Sequence, residues 1–486
     1  MRERLFWFYW LLILVMGIFG LRLVYLQILE AKYYRLLADE NRIKQEILPA
    51  ERGKILDRFG EVLTLSKANA HVLGYVGEVS EEEVDKFYLG AVVGKMGLEK
   101  QYDQRLRGRD GLSILEQDAQ GKVLRELRRI EPIQGEGLLT TLDAGLQAKA
   151  FELMDKRKGA VVISNPNNGE ILALVSSPGF DAGNLPKFLN DKDLPLFNRA
   201  ISGEYPPGSV FKIVTATAAL EEGRIDETTK IEDTGELRVG PYRFGNWYFD
   251  QYGRKEGWIE ITRALGRSND IFFYKLGEYL GINALADWAR YFGLGSQTGI
   301  DLEGEVSGLI PDPEWKETVL KDQWYLGDTY ISAIGQGNIL TTPLQINQMT
   351  GVIASRGLLC KPFLVGGPIC KQLDIHEKTL SLVTEGLRQV CETGGTAWPF
   401  FDFTVKDKRI YVAGKTGTAE FGQQEDKAKI KTHAWFSGYA PASTQRGEPI
   451  DKPEISVTVL LEGAGEGSYQ AAPVAKELLT YWFERQ

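Results

Sequence analysis

From Leu5 to Leu21 the chain carries no charged side chain, and Phe6, Trp7, Phe8, Tyr9 and Trp10 open the stretch. Arg22 interrupts the apolar run, which then resumes through Leu29. In lipid such a segment can satisfy its backbone only as a helix. Its length suffices to span a bilayer if Arg22 snorkels. The aromatics suit an interfacial belt, and Arg2 and Arg4 place the short tail in the cytoplasm. Glu3 weakens that orientation little, because acidic residues count for little in the rule. No small-residue cleavage site follows, so an uncleaved anchor is expected rather than a secretory signal peptide. Everything after residue 30 then lies outside the cell membrane.

The remainder is ordinary globular material. Of 486 residues, 43% are apolar and 25% charged, enough for one large domain, or a large and a small one. A net charge of −9 and a pI near 5.3 argue against a nucleic-acid partner. Residues 30–44 read as a mixed-charge helix leaving the membrane. Roughly 45–140 alternates short strands with charged helices. Beyond that, long amphipathic helices take over. Ala160–Ser164 and Ile171–Ser176 are predicted strands around an Asn165–Gly169 turn. Strand Ser456–Leu461 and helix Ala471–Phe483 complete a sheet covered by helices, an α+β or mixed α/β layer arrangement.

Three short motifs carry the chemistry. Among the serines, only Ser209 has a lysine three residues on, Lys212. It follows Tyr205-Pro206-Pro207-Gly208, a turn, and precedes an apolar helical run from Val210 to Ala219. Ser209 thus falls near a helix N-terminus, where unpaired N–H groups favour developing negative charge. Positions i and i+3 share a helix face, so the Lys212 amine can lie beside the hydroxyl. A buried lysine with a second cation nearby loses its proton easily and can act as base. Chance alone yields about one such pair at ordinary lysine frequency, so the surrounding motifs decide.

Lys415-Thr416-Gly417-Thr418 follows the alternating run Arg409–Gly414, and His433–Tyr439 reads as the returning strand of a hairpin. A charged loop of about 421–432 joins them. Lys415 supplies fixed positive charge, Thr416 and Thr418 supply hydroxyls for a carboxylate, and Gly417 permits close approach. A phosphate loop is excluded, because Arg409 stands where its first glycine belongs. An edge hairpin with a surface lysine is the plain alternative. Ser268-Asn269-Asp270 precedes the apolar helix beginning Ile271-Phe272-Phe273-Tyr274, and by itself reads as an N-cap. No Gly-x-Ser-x-Gly occurs, which argues against an esterase of the α/β-hydrolase kind. His376-Glu377 lacks a second histidine at metalloprotease spacing, so neither metal nor other cofactor is expected. Cys360, Cys370 and Cys391 give no disulfide framework and are expected to be buried structural thiols. An oxidising compartment leaves pairing of Cys360 with Cys370 open.

Taken in order, these segments resemble the class B penicillin-binding proteins, membrane-anchored D,D-transpeptidases of peptidoglycan synthesis, over nearly the whole chain. Arg52–Arg58 is similar to the motif opening their non-catalytic pedestal. Ser268-Asn269-Asp270 with Phe273-Tyr274, Thr298–Leu302, Trp324 with Gly327-Asp328-Thr329, and Gly335-Gln336-Gly337 before Thr342-Pro343-Leu344-Gln345 resemble the rod-elongation branch, penicillin-binding protein 2. The resemblance implies an α+β fold with an antiparallel sheet, similar to serine β-lactamases. It implies a cytoplasmic tail (1–4), an inner-membrane anchor (5–29), a juxtamembrane helix and dimerisation-type pedestal (30–140), and an extracytoplasmic transpeptidase domain (141–486).

The implied roles follow residue by residue. Ser209 attacks the penultimate D-alanine of a pentapeptide stem, Lys212 is its base, and Ser268 relays a proton to the leaving amine under the influence of Lys415. Backbone N–H groups of Ser209 and Thr418 form the oxyanion hole. Lys415, Thr416 and Thr418 hold the terminal carboxylate. Implied partners are lipid-linked or nascent peptidoglycan stems, β-lactams that acylate Ser209, and a polytopic glycan polymerase of the shape, elongation, division and sporulation group. No glycosyltransferase domain is expected between anchor and catalytic domain.

Two residues depart from the pattern. Asp270 stands where most of the class has asparagine, so its pairing with Lys212 is expected to be ionic. Phe59 replaces a turn asparagine. Competing functions are a division- or sporulation-type transpeptidase, a carboxypeptidase or β-lactam hydrolase, and a catalytically weak scaffold activating the polymerase. A β-lactam sensor is disfavoured, since no signalling segment precedes residue 5.

Overall fold

The computed structural model describes residues 2–118, 120–421, 431–442 and 452–486. Most of the charged loop expected at about 421–432 lies outside the described residues. The chain divides into two compact units, Met1–Lys54 with Gln104–Gly137, and Ile55–Asp103 with Leu138–Gln486.

The first unit begins with α1 (Arg2–Val24), continued by a π-helical turn, Tyr25–Leu29. Together they form a helix of 28 residues, long and apolar enough to cross a membrane. The amphipathic α2 (Ala31–Arg42) leads into β1 (Ile43–Leu48). With β2 (Gly111–Gln117) and β3 (Val123–Ile130) it forms an antiparallel sheet in the order β1-β2-β3. Glu116 on the central strand is paired with both Arg42 and Arg125, which hold its carboxyl below the usual range.

The second unit is built on α3 (Ala144–Met154), β4 (Gly159–Ser164), β5 (Ile171–Ser177), α4 (Lys212–Glu221), β6 (Ile231–Asp233), α5 (Trp247–Tyr252), β7 (Gly257–Ile259), α6 (Ile261–Gly266) and α7 (Asp270–Leu280). Further along come α8 (Pro343–Ala354), β8 (Leu358–Cys360), β9 (Cys370–Gln372), α9 (Glu377–Val390), β10 (Ala413–Phe421), β11 (Lys431–Ala440), β12 (Ile455–Leu461) and α10 (Gly467–Glu484). Five strands make one antiparallel sheet, ordered β10-β11-β12-β4-β5.

Alternation along each strand divides the core in two. On β11, Ala434, Phe436 and Ala440 face α3 and α10, together with Val457, Val459 and Leu461 of β12. Trp435 and Tyr439 face the other way, onto a cluster supplied by α4, α6, α7, α8 and α9. Both faces are therefore buried, which makes these strands read as nearly unbroken apolar runs. Thr342 and Gln345 form a capping box at the start of α8, with Pro343 in its first turn. That accounts physically for the Thr342-Pro343-Leu344-Gln345 signature.

Two expectations are corrected. Cys360 and Cys370 face each other across the β8–β9 hairpin and form a disulfide, while Cys391 is the buried thiol expected of all three. Spacing along the chain could not show this, because the hairpin places the two Cα atoms 4.0 Å apart. The strand expected at Arg409–Gly414 begins instead at Ala413 and contains the Lys415–Thr418 motif itself. Lys408-Arg409 pairs separately with Thr404-Val405. The turn at Phe59 is held by Asp57, whose carboxylate accepts from the N–H groups of Phe59 and Glu61.

Candidate active site

Ser209 lies in a 3-10 turn, Gly208–Phe211, that runs directly into α4, so it stands at a helix start as the sequence implies. It is half-buried among fully buried neighbours. Gly208 takes φ +55°, and a Cβ there would meet the Thr418 carbonyl oxygen at 3.0 Å and the Ala419 Cβ at 3.2 Å. The serine turn is thus pressed against the edge strand β10. Its backbone is pinned on other sides as well. Gly208 N–H donates to the Gly335 carbonyl at 2.8 Å, and the Trp435 indole donates to the Pro206 carbonyl at 3.0 Å. Tyr205 donates to Glu462 at 2.7 Å, and buried Arg199 pairs with the same carboxylate at 2.8 Å.

Lys212 opens α4 and is completely buried. Its ammonium donates to Asp270 Oδ1 at 2.7 Å, to the Ser268 carbonyl at 2.8 Å and to Ser268 Oγ at 3.3 Å. Burial depresses its pKa, and the Asp270 carboxylate opposes that shift. The expected ionic pairing at the departed position is therefore present. Ser268-Asn269-Asp270 satisfies both of its readings through different residues. Asn269 caps α7 by accepting from the Phe272 N–H at 2.9 Å, while Ser268 and Asp270 turn to Lys212. Ser268 is held at φ +53°, in the left-handed region that a non-glycine residue visits only under constraint.

β10 is an edge strand, but Lys415 is no surface lysine: it is fully buried. Burial, and next the nearby Lys212 charge, push its pKa well below the usual lysine value. It donates to the Thr416 carbonyl at 3.1 Å. Thr416 and Thr396 hydroxyls lie 2.7 Å apart, and the Thr418 carbonyl accepts from Gln336 at 3.2 Å. A Cβ at Gly417 would meet the Pro207 carbonyl oxygen, Trp435 and Val210, each at 3.0 Å. The close neighbour foreseen for Gly417 is thus the serine turn's own backbone. On its other side Gly467, at the start of α10, approaches so closely that a Cβ would lie 2.5 Å from the Gly417 carbonyl oxygen.

The three motifs, from separate parts of the sequence, thus meet around Lys212. Two fully buried lysines and one largely buried carboxylate lie behind a partly accessible serine. That arrangement can deprotonate the serine, hold an anionic end group and return a proton to a leaving group. Several supporting residues carried no local signal: Thr396, Glu462, Gly467, and Asn246 and Asp233 beneath Asp270. Gln336, part of the segment that resembles the rod-elongation branch, holds the Thr418 carbonyl.

Residues 159–480 match the penicillin binding protein transpeptidase domain, and residues 65–140 match the penicillin-binding protein dimerisation domain. The chain belongs to the penicillin-binding proteins, in the class that joins these two domains. Peptidoglycan D,D-transpeptidase MrdA of Acinetobacter baumannii is 35% identical over 454 residues, covering 85% of this chain and 64% of the relative. This chain thus spans slightly under two thirds of that relative's length. Penicillin-binding protein 2 of Helicobacter pylori, solved in complex with MreC, superposes with a TM-score of 0.78 at 26% identity, covering 91% of this chain and 99% of the other. A chain of a peptidoglycan synthase complex that coordinates polymerization and crosslinking superposes with a TM-score of 0.78 at 28% identity, covering 99% and 98%. The kinship with the penicillin-binding protein 2 branch is shown by such relatives.

Proposed function

We propose that this chain is a peptidoglycan D,D-transpeptidase that crosslinks stem peptides during cell-wall elongation and is inhibited by β-lactams. The observation that carries the reading is a fully buried Lys212, ion-paired to Asp270 and one turn beyond a half-exposed Ser209. Lys212 in its neutral form takes the Ser209 proton as Oγ attacks the carbonyl of the penultimate D-alanine. Backbone N–H groups of Ser209 and Thr418 receive the oxyanion. The amide C–N bond breaks, the leaving amine takes a proton through Ser268, and terminal D-alanine departs. The amine of a second stem attacks the ester, returns its proton to the base and frees Ser209. Lys415, Thr416 and Thr418 hold the terminal carboxylate, and Gly417 lets the strand pack directly against the serine turn, which brings those residues to Ser209.

The reading extends to the whole chain. Residues 1–4 form a cytoplasmic tail, 5–29 a single-pass inner-membrane anchor, 30–140 a pedestal and 141–486 an extracytoplasmic catalytic domain. The Cys360–Cys370 disulfide fits an oxidising compartment. By analogy with the relative in a peptidoglycan synthase complex that coordinates polymerization and crosslinking, the partner is a polytopic glycan polymerase.

Intact mass after incubation with a penicillin tests the chemistry, for the wild-type soluble region and for Ser209→Ala. Wild type is expected to gain one drug mass that persists for many minutes, and Ser209→Ala none. A transient adduct with drug turnover would indicate a hydrolase. No adduct on a folded wild type would leave a scaffold.

A further inference from the structure

Asn246 sits at the N-cap position of α5, where an asparagine side chain ordinarily accepts from its own helix. Here it does not cap α5. Its side chain is wholly buried and turned towards the catalytic pair. Asn246 Nδ2 donates to Asp233 Oδ2 at 2.9 Å, and Asn246 Oδ1 accepts from the Asp270 N–H at 3.3 Å. In return the Trp247 N–H donates to Asp270 Oδ2 at 3.3 Å. The two segments exchange a reciprocal pair of hydrogen bonds, and the other Asp270 oxygen is left for Lys212 at 2.7 Å. The amide orientation is forced. A carboxylate can only accept, so Asp233 must face Nδ2. Asp233 is itself buried and fixed, accepting from the N–H groups of Gly235 and Glu256 at 2.9 Å each.

We infer that Asn246, oriented by Asp233, is a positioning residue that fixes the Asp270 carboxylate on Lys212 and so sets the protonation range of the base. The inference rests on the transpeptidase reading above. Charged groups around Lys212 are Asp270 from α7 and Lys415 from β10, with the Phe273 ring 5.2 Å away. Behind Asp270 stand Tyr274 on α7, Asp233 on β6, and Glu256, whose carboxylate is paired with Arg263 and Arg267. Asp270 is the acidic group of this set on Lys212 itself, so freeing it withdraws charge that favours the ammonium form.

The test is the penicillin acylation rate of Ser209 against pH, with unfolding temperature, for wild type, Asn246→Ala, Asp270→Asn and the double variant. Asn246→Ala is expected to lower the plateau rate by about 10- to 100-fold and to move the acid limb to lower pH. In the Asp270→Asn background the same change should move neither. Asp233→Asn should shift the limb in the same direction without touching residue 246. An unmoved limb in folded Asn246→Ala or Asp233→Asn protein, or an equal loss of rate in both backgrounds, overturns the inference. So does failure of both variants to fold, which would make the network purely structural. A folded wild type that takes no penicillin would instead overturn the transpeptidase reading, and this inference with it.

Discussion

Two lysines buried within Coulomb reach of each other are costly, and the cost shows at Lys415. Its pKa is depressed first by burial and second by the Lys212 charge. The unfolded chain therefore binds a proton that the folded chain releases, between the folded pKa and the ordinary lysine value near 10.5. In that window stability rises with pH, by up to about 1.4 kcal/mol per pH unit. Lys415→Met keeps the apolar stem and removes the charge. It is expected to abolish acylation, to raise the unfolding temperature at neutral pH, and to flatten the rise in stability towards alkaline pH. Thermal unfolding of both proteins across the neutral-to-alkaline range, beside the mass assay, checks all three. A lower unfolding temperature for the methionine variant would show that the charge is stabilising and the account wrong.

The elements act as clamps on this charged centre. β10 is gripped between the serine turn, against Gly417, and the start of α10, where Gly467 N–H lies 3.4 Å from Thr418 Oγ1. A Cβ at Gly467 would stand 2.2 Å from the Trp435 carbonyl oxygen, a backbone atom that cannot step aside. Gly467→Ala should therefore force α10 away from the sheet. The expected cost is about 2 kcal/mol or more, with slower acylation because the Thr416–Thr418 edge shifts. Urea unfolding together with the acylation rate measures both. Unchanged stability would mean that the helix start has slack the structure does not show. At this scale the strands β4, β5 and β12 and the helices α4, α7 and α10 were legible from apolar patterning and turn residues. β10 was displaced by a few residues because Lys415, an ordinary surface residue by type, lies inside it.

For the second unit as a whole, the Cys360–Cys370 bridge closes the segment Lys361–Ile369. That segment ties distant parts of the chain together. Phe363 exchanges backbone hydrogen bonds with Gly169 and Ile171, the Leu364 carbonyl accepts from Thr141 N–H, and Leu364 and Val365 N–H groups donate to Asp301. A sequence separation of 10 residues implies about 2–3 kcal/mol of unfolded-state restriction. Cys370→Ser is expected to lower the unfolding temperature by a few degrees while leaving the penicillin adduct on Ser209 intact. Calorimetry with and without reductant checks this. Equal unfolding temperatures would mean that the bridge adds nothing to stability.

What the sequence determined by itself was local or additive: the apolar N-terminal helix, the serine at a helix start, the three motifs and the layered class. Each depends on residue type at short spacing, where propensity and periodicity act. The tertiary structure alone decided which groups would meet. Asn246 and Asp233 lie 34 and 21 positions from Lys212, and Glu462 lies far beyond Tyr205. No spacing rule joins them, because their contacts follow from how the hairpins and sheet pack. The Cys360–Cys370 bond belongs to the same class of fact. So does the burial of Lys415, since only the closed fold removes water from a side chain whose chemistry favours the surface.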